Sequence, residues 1–461
     1  MSKNHLSNVY TQAQKAQALA FCEEYKQFLN HAKTERLAIA LALQMAQKAG
    51  YVSIDQKQNL VSGDKVYFLN QGKNLCLVHI GQQTLTNGLS IVATHIDSPC
   101  LDLKPQPIYE DCELALLKTQ YYGGIKKYQW GSRALALHGI VCLKDEREIT
   151  VHIGDNEGDP VFAIPDLLPH LDAKVQRERK ANEVLRGEEL RIVVFSTPQA
   201  GKEEEKGLVK KALLTHLKEH YGIEEEDFLS AELHVVPAGK CYDVGLDRTL
   251  IGGYGQDDRV CSYAGLQAIL QQNGTPEKTA MLFLADKEEI GSVGITGMKS
   301  SFWRYAVAQL LYKCGYSSEN HVLMETLWHS ICLSGDVTAA VDPIFKEVHD
   351  EQNSAKLHYG LALTKYTGSG GKYHASEADA ALVASLRSVL SQHQIVYQVG
   401  QLGKVDEGGG GTVAAFFANH GVRTLDCGVA ILSMHSPFEI ASKWDIYAMF
   451  QAYQIFFAQG L

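Results

Sequence analysis

Five groups of metal-binding side chains recur along this 461-residue sequence, each beside an apolar, strand-like run: His95-Ile96-Asp97, Asp257-Asp258, Glu288-Glu289, Asp336 and His435. Two imidazoles and three separate carboxylates suffice to hold a pair of divalent cations, provided that one carboxylate is shared between them. A spare glutamate next to such a pair has a further use, which is to move the proton of a water held there. Two such cations bring four positive charges against three negative ones from Asp257, Glu289 and Asp336. A deprotonated, metal-bridging water would bring the centre near neutrality and is therefore favoured. The chemistry this equipment serves is hydrolysis of an amide, with Glu288 as general base.

Taken singly, each group has a plainer reading. His95-Ile96-Asp97 sets two polar side chains on one side of an extended segment, so a carboxylate can hold the ring nitrogen that does not bind metal; most histidines nevertheless have other roles. Asp257-Asp258 follows the glycine-rich turn Gly252–Gly255 and opens a helix, where aspartate also serves as a simple cap. Glu288-Glu289 comes directly after the apolar run Met281–Ala285, where unpaired carboxylates are rare. Glu203–Glu205 and Glu224–Glu226, by contrast, sit in charged stretches and read as solvated faces. Asp336 after Ser330–Gly335 and His435 after Val422–Ile431 are unremarkable alone, since aspartate is a common turn former. The argument rests on the ordered set.

Other chemistries find no support. The chain has no H-E-x-x-H, no G-x-S-x-G and no Walker A pattern. Gly291, Gly294 and Gly297 miss the dinucleotide-binding spacing and follow two repelling glutamates, and Gly408–Gly411 reads as a structural turn.

The elements that must position these residues alternate along the chain. Two helices open it, the second capped by Thr34, carrying the stripe Leu37, Ile39, Leu41 and Met45, and stopping at Gly50. Strand-like runs Leu75–Ile80 and Leu89–Thr94 follow, the latter delivering His95. After residue 244 come a helix over Arg259–Gln272, a buried strand over Thr279–Ala285, a helix over Glu377–His393, a strand region over Val422–Ile431 and a closing helix over Lys443–Ala458. Such alternation predicts an α/β fold with a mixed, largely parallel sheet flanked by helices, whose sites gather beyond the carboxyl ends of strands. The stretch from 101 to 244 differs: β-rich runs (Ile149–Ile153, Leu190–Phe195, Ala231–Val236) alternate with charged ones, and the five groups skip it. It reads as an inserted second domain between catalytic parts 1–100 and 245–461.

Bulk properties narrow the partners. With 53 acidic and 43 basic residues the net charge is −10, which argues against nucleic acid. The opening MSKNHLSNVYTQ lacks the apolar stretch of a signal peptide, and the longest helix-like apolar run, Leu37–Ala46, is too short to span a membrane. Ten cysteines are scattered without a C-x-x-C pair, so a reduced, cytoplasmic setting is expected and zinc bound by thiolates is not.

Six blocks in order give the sequence a clear resemblance: THIDSP (Thr94–Pro99), YGG…W..RAL (Tyr122–Leu135), DDR (Asp257–Arg259), ADKEEIGS (Ala285–Ser292), GDVTAAVDP (Gly335–Pro343) and LSMHSPFE (Leu432–Glu439). Over most of its length the chain resembles the aspartyl aminopeptidase family of cocatalytic zinc exopeptidases. The resemblance implies two zinc ions per subunit, with cobalt or manganese also compatible with such ligands. His95, Asp257 and Asp336 would hold one, and Asp257, Glu289 and His435 the other. Glu288 would be the general base and Asp97 would orient His95; the peptide after Asp257 would be cis. It further implies that the insert drives assembly into a tetrahedral homododecamer, that His170 reaches toward a neighbour's active site, and that short peptides with N-terminal Asp or Glu are substrates. Lys365 and Lys372, beside Gly368–Gly371, are candidates to meet such a substrate. Ala339, Asp342 and the stretch Lys126–Gly131 depart from the family pattern off the ligand set, which bears on the acidic preference. A deacylase of N-acyl substrates and a non-catalytic, self-assembling scaffold are the rival readings.

Overall fold

The computed structural model describes residues 5–201, 205–317, 319–368, 370–373 and 375–461. Parts of three sequence readings, at Met1–Asn4, Glu203–Glu204 and Ser369, therefore lie outside the described residues. Two units emerge: one takes the chain up to Ser98 with Cys241–Met434 and Phe438–Leu461, the other Pro99–Lys240 with His435–Pro437. The strand Tyr242–Val244, placed in the insert by the sequence reading, thus belongs to the first unit.

A nine-stranded sheet organises the first unit, in the order Val52–Ser53, Lys65–Asn70, Asn74–His79, Thr279–Ala285, Leu89–His95, Ile331–Ser334, Arg423–Gly428, Leu361–Thr364 and Tyr397–Val399. Its central run from Thr279–Ala285 through Leu89–His95 and Ile331–Ser334 to Arg423–Gly428 is parallel throughout, so the chain ends of these strands lie on one edge. The pleat deals alternate side chains to two faces. Leu282, Val92 and Leu333 enter one core with the helices Gln12–His31, Glu35–Lys48, Gln256–Leu270, Ala380–Gln392 and Lys443–Gln459. Met281, Phe283, Ile91, Ala93 and Cys332 enter the other, against Phe302–Lys313, Asn320–Trp328 and Ala414–Ala418. Burial on both faces is why these strands read as continuous apolar runs rather than alternating ones.

Thr34 caps its helix as its type predicts, accepting from the Leu37 N–H. The buried stripe of that helix is however Ala38, Ile39, Ala42 and Ala46, while Leu41 and Met45 are only partly covered. Small alanines let the helix approach its neighbours closely, and the larger side chains fill the margins. A smaller five-stranded sheet, Tyr242–Val244, Leu250–Gly253, Glu439–Ser442, Ala430–Leu432 and Thr338–Ala339, completes this unit. The second unit is built on a six-stranded antiparallel sheet: Glu148–Ile153, Leu135–Cys142, Ala231–Pro237, Cys100–Asp111, Leu114–Tyr122 and Arg191–Phe195.

Candidate metal centre

His95 is the last residue of its strand and pairs in register with Ala285, the last residue of the next. The two exits run side by side, joined by the Ile96 N–H donating to the Ala285 carbonyl at 2.8 Å. Past Ala285 the chain turns through Lys287 in the left-handed region (φ 66) into a short helical turn, Glu288–Ile290. Asp97 fastens that turn: its carboxylate accepts the Glu288 and Glu289 backbone N–H groups, each at 3.2 Å. The same residue lies beside His95 Nδ1, 3.4 Å from the carboxylate and 3.1 Å from the Asp97 carbonyl oxygen. With Nδ1–H directed there, Nε2 is left as the lone-pair nitrogen. It faces Asp257 Oδ1 at 3.2 Å and Asp336 Oδ1 at 3.8 Å.

The acidic pair enters on a sharp turn. Gly255 sits at φ 80, where a Cβ would fall 2.0 Å from the Arg259 guanidinium. Asp257 and Asp258 have non-helical backbone angles, and the peptide between them is cis. Helical geometry is regular only from Arg259 onward. Glu439 clamps the turn from across the unit, its Oε2 accepting from the N–H groups of Gln256 at 2.6 Å and Asp257 at 3.1 Å. Ser98 Oγ donates to the Asp257 carbonyl at 2.5 Å, and Arg259 Nε to that of Ile96 at 3.2 Å. Asp336 follows its strand by two residues, and the Gly335 N–H before it donates to Ala93 O at 2.7 Å.

Four of the candidate ligands, His95, Asp257, Glu289 and Asp336, therefore converge in the first unit. Ligand atoms of His95, Asp257 and Glu289 lie within 4.8 Å of one another, as do those of His95, Asp258 and Asp336. Asp258 is the residue the sequence reading left without a role; it stood in the same acidic pair, and only its neighbour had been given one. Glu439 was likewise overlooked, although it ends the LSMHSPFE block. His435 follows Ala430–Leu432, a strand of the smaller sheet, so the strand-end rule of the main sheet does not apply to it. It groups with the second unit, where its Nδ1 is 2.9 Å from the Gly124 carbonyl. His170 is an exposed turn residue of that unit. Lys365 and Lys372 both turn to Glu377, at 3.7 and 2.7 Å, and Lys372 also lies over the Tyr366 ring.

Electrostatics shows what the cluster lacks. Burial, then the charges of Asp336, Asp97 and Asp257, pushes the Glu288 carboxyl up to about 8, against the pull of His95. Burial also raises Asp336 and holds Asp258 well above the usual carboxylate range. For His95 burial works downward, but Asp257, Asp336 and Asp97 hold the imidazole well above its ordinary value. So many acidic groups packed together out of water are short of positive charge. Asp258 Oδ1 is buried with no hydrogen-bond partner. An oxygen-rich donor set with one imidazole suits zinc or a similar divalent cation, and these residues fit one.

A parallel α/β sheet whose central strand ends gather buried imidazole and carboxylate groups defines a metal-dependent hydrolase. Comparison with known proteins makes this specific. Residues 28–457 match the family model described as aminopeptidase I zinc metalloprotease (M18). A probable M18 family aminopeptidase 1 of Borrelia garinii is 49% identical over 450 residues, 97% of this chain and 98% of the relative. The crystal structure of an M18 aminopeptidase from Thermotoga maritima superposes with a TM-score of 0.95 at 45% identity, covering 100% of both chains. A Saccharomyces cerevisiae mApe1, described as a dodecamer, shares the fold at a TM-score of 0.74 and 21% identity, over 94% of this chain and 95% of that one. The chain belongs to the M18 family, the aspartyl aminopeptidase family of zinc metalloproteases. It is a zinc metalloaminopeptidase, a hydrolase.

Proposed function

We propose that this enzyme removes the N-terminal residue of short peptides, acidic residues being preferred, with two zinc ions per subunit. The observation that carries the reading is the triple hold of Asp97 on His95, Glu288 and Glu289. One side chain thereby fixes a ligand histidine and orients the two glutamates whose roles must differ. His95, Asp257 and Asp336 serve one ion, and Asp257, Glu289 and His435 the other; His435 is carried into the set by the sequence resemblance alone. Bound zinc would supply Lewis acidity toward the scissile carbonyl and a water.

Glu288 is kept off the ligand set and poised as the proton carrier. With the charge of bound cations offsetting the neighbouring acids, its carboxylate can take a proton from the attacking water and return it to the leaving amine. Asp258 and Asp97 hold the ligands in place rather than react. The fold's likeness to a protein described as a dodecamer, together with exposed Leu168, Leu171 and Val175 around His170, supports a homododecamer in which His170 approaches a neighbouring active site. Lys365 and Lys372, already paired with Glu377, would meet an acidic substrate only by giving up that partner. No helix among the described residues is long and apolar enough to cross a membrane. A cytoplasmic location fits the lack of any disulfide among them.

The test is a peptide panel varied at the first residue, with N-acetyl counterparts and metal content measured together. Fastest release of N-terminal Asp or Glu at two zinc ions per chain is expected. Faster cleavage of the acetylated series would replace this reading with a deacylase. In the same assay His435→Ala should lose about one ion; full occupancy would remove it from the ligand set.

A further inference from the structure

The sheet of the second unit assembles its own set of metal-type donors. Its register puts Asp102 directly opposite His234, and residues opposite one another on adjacent strands share a face. Cys100 precedes Asp102 by two positions on the same strand, so the pleat returns it to that face, diagonal to His234. The three side chains meet in a triangle. His234 Nδ1 is 2.5 Å from Asp102 Oδ1 and 3.7 Å from Cys100 Sγ, and Cys100 Sγ is 3.8 Å from Asp102 Oδ1. Cys100 and His234 are 5% and 9% exposed, while the Asp102 side chain, at 38%, opens to solvent.

We propose that Cys100, Asp102 and His234 form a further binding site for a zinc-class cation, built from residues unrelated to the His95 cluster, with a fourth position left for water. A tetrahedral zinc with a Zn–S bond of about 2.3 Å and Zn–N and Zn–O bonds of about 2.0–2.1 Å spaces its ligand atoms about 3.3–3.6 Å apart. Both edges to sulfur are close to that size. Only the imidazole–carboxylate edge is short, because a hydrogen bond spans it, and it must open by about 1 Å for a cation at the centre. Binding releases the thiol proton, and the proton between His234 Nδ1 and Asp102 leaves Nδ1 for Nε2 or for solvent. Sulfur, nitrogen and oxygen in one set favour zinc over magnesium or calcium. The solvent-facing carboxylate gives the ion a way in. With Asp102 and His234 132 positions apart, no spacing in the sequence announces the site.

Cobalt(II) distinguishes this site from the other cluster, whose candidate ligands are imidazole and carboxylates and give no thiolate-to-cobalt charge-transfer band. Metal-stripped full-length protein is reloaded with cobalt, and absorbance and cobalt per chain are recorded for wild type, Cys100→Ser and Asp102→Asn. The wild type should show the band, and Cys100→Ser should lose both the band and one cobalt per chain while keeping peptidase turnover. Asp102→Asn, a more exposed change, should lose one cobalt even if the serine variant folds poorly. Absence of the band in wild type, or an unchanged cobalt count in both variants, would overturn the proposal.

Discussion

The Asp97 carboxylate accepts the Glu288 backbone N–H at 3.2 Å, joining the exits of two neighbouring parallel strands. Because the same residue borders His95 Nδ1 at 3.4 Å, histidine orientation and glutamate position are set by one group. Asp97→Ala should therefore lower metal affinity by about 10–100-fold, the usual loss when the group holding a ligand histidine is removed. Asp97→Asn, which can still accept one hydrogen bond, should lose less. Chelator competition on both variants measures this; equal affinities in wild type and alanine variant would contradict it.

Glu288→Gln keeps shape and polarity but removes the proton acceptor. Turnover should fall by about 10²–10⁴-fold with metal content unchanged. Loss of metal along with turnover would make Glu288 a ligand instead. Steady-state rates paired with metal analysis decide between the two.

Stripping the metal should make stability strongly pH-dependent. A carboxyl raised above its ordinary value binds its proton more tightly in the folded chain than in the unfolded one. The stripped protein thus has the full stabilising contribution of these carboxyls only below the unfolded carboxylate value of about 4. It loses stability as pH rises toward about 8, where Glu288 ionises, with Asp336 and Asp258 adding in the same direction. Bound cations offset those charges and stabilise the fold by mass action. The Tm gap between loaded and stripped protein should widen from pH 5 to pH 8; a constant gap would show that these acids do not repel as their packing implies.

Gly428 leaves room for the backbone that carries Asp336: a Cβ there would lie 2.0 Å from the Asp336 carbonyl oxygen. Gly428→Ala should destabilise the protein by about 1–3 kcal/mol, as overpacking does, and should weaken metal binding by displacing that ligand. Denaturant midpoints and metal titration report the two effects separately. Unchanged metal affinity in a destabilised variant would uncouple Asp336 from this contact.

Much of the fold is legible in the sequence because its signals are local. Thr34 caps the helix it precedes, and the mainly apolar runs Thr279–Ala285 and Leu89–His95 are buried throughout because both sheet faces are covered. His95 and Glu288-Glu289 stand out because charged groups at the ends of buried strands are unusual. Less local features are missed. Asp257-Asp258 reads as a helix opening, yet its backbone is held out of helical geometry by Glu439, about 180 residues away (|i−j| of 182 to Asp257). The helix stripe through Leu41 and Met45 gives way to Ala38 and Ala42, because partner helices decide which face is closest.

By itself, then, the sequence determined which residue types sit at strand ends and which runs are apolar enough to form buried strands, since both are properties of a few neighbouring residues. Only the tertiary structure decided that Asp97 serves His95 and both glutamates, that Asp258 joins the buried acids, and that Cys100, Asp102 and His234 meet. Those encounters depend on strand order and register, which are fixed by packing between segments far apart in the chain.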